Sequence, residues 1–178
     1  VKEIFYSLQG EGARAGRPAV FCRFSGCNLW SGEEKHRAAA ACNFCDTDFV
    51  GSDGVGGGKF SDANELADTL QSYWPQRDMH RAYIVFTGGE PLLQLNANLI
   101  DAMHERGFEV AVETNGTLHA PDGIDWLCVS PKGDTRLAQQ AGNELKLVYP
   151  QAGVDPGTFK GLKFDHFYLQ RVLLENPQ

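Results

Sequence analysis

The sequence predicts an α/β fold with a mostly parallel sheet, arranged as a partial (β/α)6 barrel. From about residue 82 onward, apolar runs typical of buried strands alternate with a helical stretch and with polar loops. Glycine-rich and polar motifs follow directly where several of these runs end. About six strands can be counted, which is too few for a closed eightfold barrel.

The first half of the chain contributes one strand and one helix to this prediction. The run "AVFCRF" predicts a strand, and the patch "GSDGVGGG" (51–58) predicts a flexible loop. The segment "SDANELADTLQSYW" opens with a Ser-Asp cap and places Ala63, Leu66, Ala67 and Leu70 on one face. It therefore predicts an amphipathic helix.

The second half supplies the alternation. The run "AYIVF" (82–86) predicts a buried strand, and a helical stretch carrying Leu92, Leu95, Leu99, Ile100 and Met103 follows, with Gly107 as its stop. Four further strands are predicted at "FEVAVET" (108–114), "IDWLCVS" (124–130), "ELKLVY" (144–149) and "HFYLQ" (166–170). This order favours parallel pairing.

Polar motifs cluster at the ends of the predicted strands. They are Thr87-Gly88-Gly89-Glu90, Glu113-Thr114-Asn115-Gly116 and Ser130-Pro131-Lys132. Because function in parallel α/β sheets sits at the carboxyl ends of the strands, we expect these motifs to form one site.

Composition excludes several classes of function. The net charge of −7 and the lack of a Lys/Arg-rich run argue against a nucleic-acid binder. No stretch approaches the roughly 18 apolar residues of a membrane helix. Five cysteines, an odd number with three close together, favour metal or redox use of thiols in a reducing cytoplasm.

The three clustered cysteines, Cys27, Cys42 and Cys45, have the spacing C-x14-C-x2-C. Three thiolates leave one iron of a four-iron, four-sulfur cluster without a protein ligand, so that a further ligand can bind there. The alternative is a zinc site that adds Cys22, although zinc sites usually pair two close knuckles. Cys22 lies in a predicted strand and Cys128 in an apolar run, so both are expected in the core.

These motifs resemble those of the radical S-adenosylmethionine (SAM) superfamily, although its commonest spacing is C-x3-C-x2-C. Phe44 precedes the last cysteine, and a Gly-Gly-Glu follows the next predicted strand. The motifs "SLQGEG", "CDTDF", "TGGEPLLQ", "ETNG" and "SPK" together resemble the 7-carboxy-7-deazaguanine synthase family, from about residue 3 to residue 170. The resemblance implies a cut-down radical SAM core with a cluster-loop insertion at 28–41 in a single domain, 1–178.

The resemblance also implies which residues hold the cofactors. Cys27, Cys42 and Cys45 would ligate a 4Fe-4S cluster, and SAM bound to the open iron would yield a 5′-deoxyadenosyl radical. Glycines let a backbone approach a ligand closely, which suits Gly88 and Gly89. The residues implied for SAM are Phe44, Asp46, Gly88, Gly89, Glu90, Glu113, Asn115, Ser130, Pro131, Lys132 and Gln170. Taken alone, "TGGEP" and Asn-Gly are also ordinary turn sequences, and Lys132 could be a solvated lysine.

The family's substrate is 6-carboxy-5,6,7,8-tetrahydropterin, which needs partners for a guanine-like ring and for a carboxylate. Gln9, the backbone of Leu8 and Gly10, and Glu11 are implied as readers of the ring. Arg23 could pair with the carboxylate, although an ordinary charged strand residue is an equally good interpretation without the resemblance. Thr87 is expected to touch the substrate.

The expected reaction is hydrogen abstraction at C6 followed by ring contraction with loss of ammonia, which gives 7-carboxy-7-deazaguanine for queuosine and other deazapurines. Thr47 matches a magnesium ligand of the family, since magnesium prefers hard oxygen donors; Asp-Thr is also a frequent capping pair. SAM would act as a regenerated cofactor, with an external one-electron donor such as flavodoxin and a homodimeric protein.

Two rival functions are compatible with the motifs. One is a radical SAM activating enzyme for a glycyl-radical partner, which would not need Gln9, Glu11 or Thr47. The other is a non-catalytic zinc-binding module. The chain begins with Val1, and "RVLLENPQ" follows "FYLQ" where the family usually continues through a loop and a helix, so we expect residues to be missing at the ends.

Overall fold

A computed structural model describes residues 1–171 and shows one seven-stranded sheet whose strand order follows the chain, β1 to β7. The first strand is antiparallel to the second, and all the other neighbours are parallel. The strands are β1 Glu3–Leu8, β2 Pro18–Phe24, β3 Tyr83–Gly88, β4 Glu109–Thr114, β5 Trp126–Val129, β6 Ala141–Tyr149 and β7 Lys163–Arg171. The α/β class, the parallel sheet and the six predicted strands are confirmed.

The seventh strand, β1, was not among those counted in the sequence. It lies at the edge of the sheet, and only Lys2 and Ile4 near its start are buried. An edge strand buries few of its side chains, so its sequence lacks the continuous apolar run that marks the parallel strands. Strands β1 and β7 form opposite edges, so the sheet is open.

Two α-helices connect strands within the described residues: α1, Ala63–Ser72, between β2 and β3, and α2, Ala97–Glu105, between β3 and β4. The Asp62 side chain caps α1 by accepting from the Glu65 backbone N–H, as the Ser-Asp signal predicts. Short 3-10 helices occupy Gly12–Arg14, Glu34–Ala39, Gln76–Arg81, Pro91–Leu93 and Pro156–Phe159.

The predicted helical stretch after β3 is divided in the structure. A 3-10 turn at Pro91–Leu93 comes first, and α2 starts only after Asn96, whose side chain accepts from the Leu99 backbone N–H at 3.1 Å. Asn96 is extended (φ −132°) and caps the helix, so the apolar pattern runs across a break that periodicity cannot reveal. Gly107 ends the segment with φ +79°, as predicted.

The core lies between the two helices and the sheet. Leu66 and Leu70 of α1 and Ile100 and Met103 of α2 are buried against strand residues such as Ile84. The later crossovers have no α-helix in residues 1–171, and the sheet there carries polar side chains as well as apolar ones. No helix of this part of the chain has the length and apolar character needed to cross a bilayer.

Candidate active site

A cavity of about 520 Å³ lies at the carboxyl ends of the parallel strands, within the range of roughly 300–1,000 Å³ typical of small-molecule sites. It brings together most of the residues predicted from the sequence. Those on its wall are Glu11, Arg23, Cys27, Cys42, Phe44, Cys45, Asp46, Thr47, Thr87, Gly88, Gly89, Glu113, Asn115, Ser130, Lys132 and Gln170.

Five predicted residues do not line this cavity: Leu8, Gln9, Gly10, Glu90 and Pro131. Leu8 is 59% exposed at the end of the edge strand. Gln9 and Glu90 are buried behind the wall and hold other residues in place. The predicted shortening of the chain after Gln170 concerns residues 172–178, which lie outside the described residues.

The three clustered cysteines form one side of the cavity, which we call the thiol wall (Cys27, Cys42, Phe44, Cys45 and Thr47). The Cys42 and Cys45 thiols interact with each other, and this interaction lowers the pKa of Cys45 and raises that of Cys42. The backbone and hydroxyl of Thr47 also favour the Cys45 thiolate. Burial raises the pKa of Cys27.

The donor chemistry of the thiol wall suits an iron–sulfur cluster better than a single zinc ion. Cys22, the fourth ligand of the zinc alternative, is fully buried in β2 among core side chains. In residues 1–171, no group of three or more Cys, His, Asp or Glu side chains could hold a metal ion together. In a cube each thiolate ligates a different iron, so three thiols spread along one cavity fit that group.

The segment 28–41 folds back onto the cysteines through Arg37. Its guanidinium lies 4.1 Å over the Trp30 ring, and Nη1 donates to the carbonyls of Asn43 (3.1 Å) and Cys45 (2.8 Å). Trp30 in turn packs edge-on against the buried Phe49 ring, which follows the cysteines. The long spacer between Cys27 and Cys42 therefore returns the chain to the thiol wall.

Gly88 and Gly89 bring the end of β3 against the segment that leads to Cys27. A Cβ atom on Gly88 would lie 2.3 Å from the Phe24 carbonyl oxygen, and one on Gly89 would lie 2.0 Å from that of Gly26. The Glu90 backbone N–H donates to the same Gly26 oxygen at 2.9 Å. Glycine is thus required here by packing of backbone on backbone, whatever else binds beside it.

Glu90 is fully buried and joins the β3 loop to the end of β4. Its carboxylate accepts from the backbone N–H groups of Leu92 (3.0 Å) and Asn115 (2.8 Å) and from the Thr114 hydroxyl (2.7 Å). Burial raises the pKa of Glu90, and these three hydrogen bonds oppose the rise. Glu90 therefore fixes the backbone at Leu92 and at Asn115.

The Ser-Pro-Lys motif after β5 folds onto itself. Lys132 Nζ donates to the Ser130 carbonyl (2.8 Å) and hydroxyl (2.6 Å), and burial lowers the pKa of Lys132. Gln151 Nε2 donates to the Pro131 carbonyl at 3.2 Å and fixes the loop from outside the cavity. Lys132 is close enough to the thiols to favour a negative charge on Cys42.

The same cavity is also lined by a set of charged residues that we call the charged wall (Glu11, Arg23, Glu113 and Lys146). Arg23 Nε already pairs with Glu3 on the neighbouring strand at 2.8 Å. Glu113, predicted to contact SAM, lines the cavity, and its Oε1 accepts hydrogen bonds from Gln9 and Lys146.

Sequence reasoning missed Lys146, a charged residue of the cavity that is only 5% exposed. A signal was present in "ELKLVY", because Glu144 and Lys146 alternate with Leu145 and Leu147, both in the core. In a parallel strand buried on both faces, charges at every second position indicate that one face lines a polar interior.

Comparisons with known proteins show close relatives. No protein-family model matches the chain. It is 63% identical over 170 residues to the 7-carboxy-7-deazaguanine synthase of Bradyrhizobium diazoefficiens and 62% identical to that of Bordetella pertussis, covering 96% of this chain and 80% of each relative. The crystal structure of QueE from Escherichia coli matches 85% of this chain and 70% of that chain, with a TM-score of 0.63 and 25% identity.

The parallel sheet and the three cysteines on a cavity at its carboxyl edge define the class of protein, a cut-down radical SAM core. Within that class, the chain belongs to the 7-carboxy-7-deazaguanine synthase family.

Proposed function

We propose that this protein converts 6-carboxy-5,6,7,8-tetrahydropterin to 7-carboxy-7-deazaguanine with loss of ammonia, as a radical SAM lyase on the route to queuosine and other deazapurines. The observation that carries the proposal is one cavity lined by both the thiol wall and the charged wall, in a chain 62–63% identical to synthases of this name. A redox cofactor and a polar heterocycle each have a suitable surface there.

The thiol wall is assigned to the cofactors. Cys27, Cys42 and Cys45 would hold a 4Fe-4S cluster, because all three thiols line the cavity and the other two cysteines are buried elsewhere. Lys132 supplies a cation beside the thiols for an anionic carboxylate. When bound, the cluster and SAM supply one-electron reduction and hydrogen-atom abstraction. The further residues assigned to SAM are Phe44, Asp46, Gly88, Gly89, Asn115, Ser130 and Gln170.

The charged wall is assigned to the substrate. Glu11 presents a carboxylate that can accept hydrogen bonds from the amino and ring N–H groups of a pterin. Arg23 lies on the same side and supplies a cation for the substrate carboxylate, with Thr87 beside it at the end of β3. Gln9 acts from behind the wall, through Glu113.

Magnesium is assigned to Thr47, which carries a hydroxyl and lines the cavity together with Cys45. A magnesium ion needs several more oxygen ligands, which the substrate and water would supply. Thr47→Ala should slow turnover in a way that excess magnesium partly restores. Turnover that shows no dependence on magnesium would remove this assignment.

Partners and compartment are inferred in the same way. The edge strand β7 exposes Phe167 and Leu169, at 46% and 62%, which suits a second copy of the chain and a homodimer. All five cysteines are free thiols, which suits a reducing cytoplasm and electron supply by a donor such as flavodoxin. Light scattering after size exclusion tests the dimer; a monomer at micromolar concentration would contradict it.

The deciding experiment is anaerobic reconstitution with iron and sulfide, followed by incubation with SAM, dithionite and the tetrahydropterin. We expect a brown protein that releases 7-carboxy-7-deazaguanine and ammonia, detected by mass spectrometry. SAM cleavage without any deazaguanine would instead favour an activating enzyme. A colourless protein with one bound zinc would overturn the radical chemistry altogether.

A further inference from the structure

Lys146 is a buried cation that faces the cavity from the middle of β6. Its ammonium group donates to Glu11 Oε2 at 2.6 Å and lies 3.4 Å from Glu113 Oε1. The side chain of Lys146 is 6% exposed, whereas that of Glu11 is 41% exposed at the cavity. A lysine so deeply buried requires a partner, and here both partners are carboxylates.

The hydrogen bonds around Lys146 close into a ring. Glu113 Oε1 also accepts from Gln9 Nε2 at 2.9 Å, and Gln9 Oε1 accepts from the backbone N–H of Glu11 at 3.1 Å. The ring thus runs from the Glu11 backbone through Gln9, Glu113 and Lys146 to the Glu11 carboxylate. It joins the loop after β1 to β4 and β6, which are distant in sequence.

Strand β6 holds the same loop at a second point. Glu144, two residues before Lys146, accepts from the Ala13 backbone N–H at 2.9 Å. Glu11 precedes a 3-10 turn but makes no side-chain capping bond there, so its carboxylate is available to Lys146. Glu144 therefore fixes the backbone of the loop, whereas Lys146 fixes the direction of the Glu11 side chain.

The charges around Lys146 support this distinction between the roles of Glu144 and Lys146. Burial lowers the pKa of Lys146, but the Glu113 and Glu11 carboxylates outweigh burial and hold that pKa above its ordinary value. Without the cation, two carboxylates would remain on one wall of the cavity. The half-exposed Glu11 would then turn toward solvent, since like charges repel and its ion-pair partner would be gone.

We propose that Lys146 is a positioning residue for substrate recognition, which holds the Glu11 carboxylate in the direction needed to read the pterin ring. The inference rests on the proposed function, because it requires Glu11 to contact the tetrahydropterin. It assigns Lys146 no part in holding SAM or the cluster; the predicted ligands of the cluster, Cys27, Cys42 and Cys45, all lie on the thiol wall.

The test compares pterin binding with SAM binding in Lys146→Gln. We expect the dissociation constant for 6-carboxy-5,6,7,8-tetrahydropterin, measured anaerobically by equilibrium dialysis, to rise by roughly tenfold or more. SAM binding and substrate-free SAM cleavage should stay within about twofold. Lys146→Arg, which keeps the cation and its donors, should recover most of the pterin affinity. Arg106→Gln, which removes a cation paired with Asp68 between the helices, is the control.

Several outcomes would overturn the inference. Equal losses of pterin and SAM binding would show a general structural role, and unchanged pterin affinity would show no role. If Lys146→Gln does not fold, the double variant Lys146→Gln/Glu113→Gln can replace it, because it removes one charge of each sign. This double variant should fold and should bind pterin weakly. Full pterin affinity in the double variant would contradict the proposal. If the wild-type protein binds no pterin, the proposed function itself fails, which is a different result.

Discussion

The thiol wall and the charged wall face the same cavity but are built in different ways. The cysteines lie in irregular chain between β2 and α1, where Arg37, Trp30 and backbone carbonyls provide the order. The charged wall is borne largely by strands: Arg23 lies on β2, Glu113 on β4 and Lys146 on β6. The thiol wall is a loop that a bound cofactor can make rigid, whereas the charged wall is already held in place by the strands.

This difference indicates a division of labour. An iron–sulfur cluster forms iron–thiolate bonds with the protein. Its cysteine ligands can therefore lie on irregular backbone and still become rigid when the cluster binds. A pterin ring is recognised through hydrogen bonds. These bonds select the pterin over other ligands only if the protein side chains that make them are held in place before binding. The buried ring of hydrogen bonds around Lys146 supplies that order on the substrate side.

The largest expected effect comes from removing a thiol. Cys45→Ala should lower SAM cleavage by roughly a thousandfold or more, equivalent to about 4 kcal/mol, because one corner of the cluster loses its ligand. Pterin affinity should change by less than about threefold, since the charged wall is untouched. Iron content, SAM cleavage and equilibrium dialysis report the three quantities. Cys128→Ala, a buried thiol away from this cavity, is the control, and a parallel loss of pterin binding would show that the walls are not independent.

The next largest expected effect is a loss of stability when the packing between Gly12 and Glu144, behind the charged wall, is disturbed. A Cβ atom on Gly12 would lie 1.9 Å from Glu144 Oε1, at φ +66°. Gly12→Ala should therefore lower the free energy of unfolding by roughly 2–4 kcal/mol, measured by urea denaturation. Gly16, at φ +85° with open space around its Cβ position, has the same backbone strain without the collision. Equal losses in Gly12→Ala and Gly16→Ala would contradict the contact with Glu144.

The sequence predicts that Glu11, Arg23 and Glu113 belong to the site, but it does not reveal Lys146 or the hydrogen bonds that join the charged wall, for a physical reason. Cysteine spacing and Gly-Gly-Glu are local patterns, so the order of residues along the chain is enough to identify Cys27, Cys42, Cys45 and Gly88. The ring around Lys146 joins residues up to 135 positions apart, and no local pattern encodes such pairing. Glu144 was missed for the same reason, since its pairing with the Ala13 backbone depends on β6 lying against the first loop.

A smaller effect tests the junction between the walls, where Glu90 joins the β3 loop to β4. Glu90→Gln should lower the free energy of unfolding by roughly 1–3 kcal/mol at neutral pH, because the amide cannot accept from all three donors. Burial raises the pKa of Glu90, so its stabilising contribution is fully present below the ordinary value of about 4.3 and falls as pH rises through the raised value. The difference in unfolding free energy between wild type and variant should shrink over that range. A difference that grows with pH would show that the three hydrogen bonds outweigh burial.

The smallest expected effect concerns the insertion. Arg37→Ala removes the stacking on Trp30 and two hydrogen bonds to the carbonyls of Asn43 and Cys45, so it should cost about 1 kcal/mol of local stability. Amide hydrogen exchange at residues 43–47 should quicken by about fivefold in the apoprotein, while exchange in β4 and β6 stays unchanged. Lys35→Ala, an exposed neighbour that pairs with Glu33, should leave all of these rates unaltered. If exchange quickened equally in β6, the charged wall would depend on the insertion, and the contrast between a loop that is completed by its cofactor and a preformed strand surface would be wrong.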